Sequence, residues 1–101
     1  MLKIWGRANS VNVIKALWCA DELGLAWERV DLAGAFGGTD TPEYRALNPN
    51  GTVPTLRDGA FVIWESNAIV RYLAAKYGAD SLWPADVETR AIADSWMDWQ
   101  Q

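Results

Sequence analysis

Asn48-Pro49-Asn50-Gly51-Thr52-Val53-Pro54-Thr55-Leu56 decides how the chain is read. Its first half packs Asn, Pro and Gly into four positions, a dense turn signal. Its second half opens a short apolar run, Val53 to Arg57, with a proline at the second position. Proline cannot donate to a ladder, so it belongs at a strand start or edge. A second run, Phe61 to Glu65, lies beyond Asp58-Gly59, a hairpin signature. Ser66 then stands as cap for a helix in which Ala68, Ile69, Tyr72 and Leu73 recur at helical spacing, and Gly78 stops it.

Upstream, Leu2 to Trp5 is a short apolar run ended by Gly6, a buried-strand candidate. Asn9 or Ser10 caps the next segment, where Val13, Ile14, Leu17, Trp18 and Leu23 fall largely on one helical face. Gly24 suits the position after that helix. Trp27 to Leu32 alternates as a second strand, and a strand–helix–strand unit implies parallel pairing with a right-handed crossover. Gly34, Gly37 and Gly38 make a loose loop. Thr41 and Pro42 then suit the cap and first position of a short helix.

The order βαβαββα predicts an α/β fold, a mixed four-stranded sheet flanked by helices in the thioredoxin-like arrangement. Residues 1–79 form this domain, 80–85 a linker with Leu82-Trp83-Pro84, and 86–101 a further helix carrying Ile92, Trp96 and Trp99. A helix so rich in Trp either packs back on its own domain or opens an all-helical second domain otherwise absent from the chain. The second expectation is the one adopted.

Composition narrows the chemistry. With 101 residues, half of them hydrophobic, the chain has material for one core. It has no His, which removes a Ser-His-Asp triad and imidazole ligands. Its single Cys, Cys19, leaves no internal disulfide and no thiolate metal site, and suits a reducing, cytoplasmic compartment. No metal is implied. The net charge of −4 argues against nucleic acid, and no apolar run reaches the roughly 20 residues of a membrane span.

Three constellations remain. Ser10, at the start of the first helix, is either a plain N-cap or a hydroxyl that, with the helix terminus, stabilises a ligand thiolate. Val53, if the bond to Pro54 were cis, could turn its N–H and C=O outward to a peptide ligand. Glu65 and Ser66 either form an ordinary acidic helix start or hold the ammonium and carboxylate of an α-amino acid head. Cys19, mid-helix, reads as packing. Asp31, Arg57, Asp58 and Arg71 read mostly as solvated surface.

Taken together, N-S-V-N-V-I-K-A-L-W (9–18), N-P-N-G-T-V-P-T-L (48–56) and W-E-S-N-A-I-V-R-Y-L (64–73) resemble the N-terminal domain of cytosolic glutathione transferases. The absence of Tyr in the first loop resembles the Ser-type theta and bacterial branch, where a basic residue stands five positions after the serine, as Lys15 does after Ser10. The resemblance implies a transferase of the detoxification kind, an enzyme whose co-substrate is glutathione and which needs no further cofactor. It implies Ser10 as catalytic and Pro54 as a cis-proline. It implies Val53 as partner of the cysteinyl unit, and Glu65 and Ser66 as holders of the γ-glutamyl head. Many Ser-type relatives have a His for the glycyl carboxylate where this chain has Gly51, which leaves Thr52 or Asn50 for that contact. Asn9 and Asn12 flank Ser10 within reach of the sulfur. The implied partners are a small electrophile and a second subunit in a homodimer, with no nucleic acid and no membrane. The rival readings are a non-catalytic glutathione-binding or regulatory module, a glutaredoxin-like oxidoreductase using Cys19, and an interaction domain.

Overall fold

The computed structural model describes residues 1–79 and 81–100. Asp80, the first residue of the expected linker, and Gln101, the last of the expected helix, lie outside the described residues. The strands are β1 (Leu2–Trp5), β2 (Trp27–Val30), β3 (Thr55–Asp58) and β4 (Phe61–Trp64); the helices are α1 (Val11–Glu22), α2 (Pro42–Leu47), α3 (Ser66–Tyr77) and α4 (Val87–Gln100). The sheet order is β2-β1-β3-β4, with β1 parallel to β2 and antiparallel to β3, and β3 antiparallel to β4. This is the expected mixed sheet. A 3-10 turn at Gly34–Phe36 sits inside the loop read as loose.

Alternation along the strands sets one face inward. Leu2, Ile4 and Leu56 point to the same side and are almost fully buried beneath α1 and α3, with Ile69 and Leu73 opposite them. Burying each such side chain contributes about 1.5–3 kcal/mol. On α1 the face read from the sequence holds for Val13, which is buried, and for Leu17 and Leu23, which pack partly buried against the core, and fails at two positions. Ile14 and Trp18 are exposed, and Val13, Ala16, Cys19 and Ala20 face the core. The reason is proximity: α1 lies against α3 and the sheet so closely that small side chains fill the contact. Cys19 donates its S–H to the Val70 carbonyl at 3.8 Å, and burial raises its pKa.

Boundaries also shift. The strand expected from Val53 begins at Thr55, because Val53 and Pro54 precede the ladder. The strand expected to reach Glu65 ends at Trp64. Residue pairing of Asp58 with Phe61 makes Gly59 and Ala60 the hairpin turn, one residue later than Asp58-Gly59. The second strand ends at Val30, short of Leu32. Thr41 caps α2 as expected, accepting from the Tyr44 N–H at 3.2 Å. Asp86 does the same for α4, its carboxylate accepting from the Thr89 N–H at 2.9 Å.

Asp58 and Arg71 correct the reading as solvated surface. The Asp58 side chain is only 14% exposed, and its Oδ2 accepts from Tyr77 Oη at 2.7 Å, Tyr72 Oη at 2.8 Å and Lys76 Nζ at 3.0 Å. The bond from Tyr77, followed by those from Lys76 and Tyr72, holds the carboxyl below its ordinary pKa. A depressed folded pKa contributes stability that is present above the unfolded value, about 3.9, and is lost as pH falls through the folded one. Asp58→Asn is therefore expected to cost about 1 kcal/mol at pH 7. The gap to the parent chain should narrow below about pH 4, where the parent's own carboxylate protonates. Urea unfolding at pH 7 and pH 3 reads both values; equal stability of the two chains at pH 7 would refute the latch.

α4 meets the rest of the chain through polar bonds. Arg71 pairs with Asp94 at 3.0 Å and Asp98 at 2.7 Å, and Asn67 donates to the Met97 carbonyl at 3.0 Å. Trp96 and Trp99 remain 65% and 78% exposed, so this helix packs back with its polar side and leaves its aromatic side open.

Candidate functional site

Two helix starts define the site. At α1, Ser10 is the N-cap: its carbonyl accepts from the Ile14 N–H at 2.9 Å, while its side chain makes no capping bond. The residue is buried, 8% exposed, so its hydroxyl stands at the mouth of the helix without serving it. The first turn of α1 holds no acidic residue to neutralise the positive end of the dipole.

At α3 the cap is Glu65, not Ser66. The Glu65 carbonyl accepts from the Ile69 N–H at 2.9 Å, and Ser66 is the first helical residue. Glu65 takes φ +78, a left-handed conformation that costs a non-glycine residue about 1–2 kcal/mol. Such strain at one residue is a recognised mark of a functional position. Freed from capping, the buried Ser66 hydroxyl donates to Asn12 Oδ1 at 3.4 Å and ties the two helix starts together. Lys15, one turn into α1, donates to Asn67 Oδ1 at 3.1 Å. Desolvation lowers its pKa, and the negative charge of Glu65 partly offsets the effect.

The third side is the loop before β3. The Val53–Pro54 bond is cis, as the resemblance implied. Neither the N–H nor the C=O of Val53 has a backbone partner among the described residues. Gly6 brings this edge against the loop leading to Ser10: a Cβ there would lie 2.3 Å from Val13 Cγ2 and 3.2 Å from Val53 Cβ. Only glycine permits that approach.

Asn50 and Thr52 are both exposed, but both are organised by a residue the sequence reading missed. Asn48 is fully buried. Its Oδ1 accepts from the Asn50 N–H at 2.9 Å and Nδ2 at 3.1 Å, and its Nδ2 donates to the Thr52 carbonyl at 3.0 Å. Tyr44 Oη, joined to Thr55 Oγ1 at 2.6 Å, completes the hub, and burial raises the Tyr44 pKa. The sequence signal, an Asn beside Pro, is indistinguishable from an ordinary turn.

Gly51 sits at φ +63, and a Cβ on it would meet the Arg45 guanidinium at 2.8 Å and the Thr39 carbonyl at 2.9 Å. The guanidinium thus lies over Gly51, fixed by Arg45 Nη1 donating to the Pro49 carbonyl at 3.0 Å.

A cleft of about 500 Å³ lies between α1, α3 and α4, with Trp18, Val70, Trp83, Trp96 and Met97 in its walls together with Lys15 and Asn67. Among the described residues no group of His, Cys, Asp and Glu is placed to hold a metal ion, and no helix is long and apolar enough to cross a membrane.

A βαβ unit, a hairpin and a cis-proline edge facing a helix start define the thioredoxin-like class of domain. Residues 9–76 match the family described as glutathione S-transferase, N-terminal domain, and the chain belongs to that family. Glutathione S-transferase GstB of Escherichia coli (strain K12) is 48% identical over 98% of this chain and 49% of its own length. Among solved structures, the theta class glutathione S-transferase of Xanthomonas axonopodis pv. citri with glutathione bound superposes with TM-score 0.93 at 64% identity, covering 97% of this chain and 47% of that one. An epsilon-class glutathione S-transferase from the housefly, Musca domestica, gives 0.92 at 36% identity over 98% and 46%. The chain spans about half the length of the relatives it matches.

Proposed function

We propose that the chain is the glutathione-binding half of a glutathione transferase, which stabilises the glutathione thiolate for attack on a small electrophile. The observation that carries this reading is the convergence of two helix starts, joined through Ser66 and Asn12, on the unpaired backbone edge at Val53. An extended tripeptide with an α-amino acid head and a central thiol has one complementary group for each.

In this reading the cysteinyl unit pairs its backbone with Val53. The γ-glutamyl carboxylate meets Ser66 and the free N–H groups of α3, and its ammonium meets Glu65. The sulfur lies at Ser10. Its proton leaves to solvent; the sulfur electron pair then forms a bond to the electrophilic carbon, and a leaving group, where present, departs with its bonding pair. Lowering the thiol pKa by two units takes about 2.7 kcal/mol, within reach of one charge-assisted bond plus a helix terminus. Glutathione is the co-substrate and no other cofactor enters.

The exposed Trp18, Trp96 and Trp99 and the cleft beneath them support a helical second domain seated there. Residues 86–101 would be its first helix, after a linker at 80–85. A cytoplasmic homodimer follows from the same reading. Cys19 weakens the thiol-oxidoreductase rival: it is buried, its pKa is raised, and it lies nine residues after Ser10, more than two turns into α1.

Calorimetric titration of the whole protein with glutathione, followed by turnover of an activated aryl halide, tests the proposal. Saturable binding and thioether formation are expected. Retention of glutathione without turnover would leave a binding module, and absence of binding at millimolar glutathione would overturn the reading altogether.

A further inference from the structure

We propose that Arg7 selects electrophiles that carry an anionic group, by meeting that group beside the sulfur. The proposal rests on the transferase reading above and gives its small electrophile a chemical class. The turn that leads into α1 ties Arg7 to Ser10: the Ser10 N–H donates to the Arg7 carbonyl at 3.2 Å. The ends of such a turn lie within about 7 Å of each other, so the Arg7 side chain starts within one small ligand's breadth of Ser10. Sheet order sets which ligand it meets. The groups assigned to glutathione, Val53, Glu65 and Ser66, belong to the β3–β4 side, whereas Arg7 and Gly34 follow β1 and β2 on the other side.

Three observations favour this side chain. Of the nine Lys and Arg residues, Arg7 alone has no hydrogen bond, ion pair or aromatic ring as partner among the described residues. It is half-buried, and a charge drawn partly out of water gains from a partner of opposite sign. Asp31, which follows β2, is already joined to Arg29, and Lys15, the other cation near Ser10, is committed to Asn67 and Gln100. Second, the side chain is laid in place. A Cβ on Gly34 would lie 2.8 Å from Arg7 Cδ and 3.1 Å from Nε, so the stem and the near edge of the guanidinium rest on that glycine. The outer N–H donors stay open to a planar, two-oxygen acceptor. Third, Phe36, in the 3-10 turn that Gly34 begins, is 59% exposed and gives the same loop an apolar surface for the body of the electrophile.

The test gives the whole protein glutathione and one of two aryl chlorides, a nitro-activated chlorobenzoate or its methyl ester. In each, the sulfur bonds to the ring carbon and chloride leaves with its bonding pair; only the acid carries a charge. For each chloride, kcat/KM is divided by the rate constant with free glutathione, which removes the difference in intrinsic reactivity. The parent should favour the acid by about tenfold, the lower end for a hydrogen bond to a charged group. Arg7→Met should lose the preference, through a higher KM for the acid. Arg7→Lys should keep part of it, since lysine offers charge without the fork. A parent that shows no preference, or an Arg7→Met variant that keeps it, overturns the assignment while the transferase reading stands. So does an Arg7→Met variant whose one loss is in glutathione affinity, read by calorimetry. A parent that turns over neither chloride overturns both.

Discussion

Ser10→Ala is expected to raise the pKa of bound glutathione by about one to two units. The variant removes one hydrogen bond to a charged sulfur, about 1.5–3 kcal/mol, and each pKa unit is 1.36 kcal/mol. The structure favours a full effect. The hydroxyl makes no capping bond, so its loss leaves the helix start of α1 in place. From a bound thiol held about two units below the ordinary value of about 8.5, such a rise gives a roughly threefold to twenty-five-fold fall in thiolate at pH 7, which should appear as a parallel fall in kcat/KM, recovered as pH rises. Thiolate absorbance titrated against pH in the glutathione complex measures the shift directly. An unchanged titration would pass the role to Asn9, Asn12 or the helix terminus alone.

Glu65→Gln should weaken glutathione by about 1–3 kcal/mol, or roughly five- to a hundredfold. The substitution keeps the shape and the cap carbonyl that the Ile69 N–H needs, and removes the charge assigned to the ammonium. Ser66→Ala is the less clean variant, since it also breaks the link to Asn12. Titrating Glu65→Gln with glutathione and with an analogue lacking the amino group separates charge recognition from backbone damage. The contact is wrong if both ligands weaken equally, or neither does.

The element order was legible because the strands are short apolar or alternating runs, and because α1 and α3 each end beside a glycine, Gly24 and Gly78. Boundaries were less so. Pro54 shortens β3 from inside the run that announced it, and the cap of α3 fell one residue early because Ser is the commoner cap while Glu65 pays for the role with a strained backbone. The face of α1 was legible at Val13, Leu17 and Leu23 but not at Ile14 and Trp18, for a related reason. Large apolar residues such as Ile14 and Trp18 dominate any periodicity reading, yet close helix contact selects Ala16 and Ala20.

Of the proposed site, Ser10, Val53-Pro54 and Glu65-Ser66 were suggested only in combination, since each alone also fits an ordinary cap or strand start. The cis bond came from the resemblance, not from the proline, for which trans is the commoner state. Asn48, Arg45 and Asp58 were hidden, because turn composition, a charged residue on a short helix and an acid at a hairpin all look solvent-facing until the fold places their partners.

Ala16 and Ala20 have a bearing on the site that their chemistry does not suggest. They are fully buried where α1 lies against α3, so the spacing of the two helices is fixed by methyl groups in the interior. Ser10 and Glu65 begin those same two helices, and the gap between them inherits that spacing. The gauge of the proposed ligand cradle is therefore machined in the hydrophobic layer, and a single added methylene at residue 16 or 20 would be transmitted to it along two rigid rods.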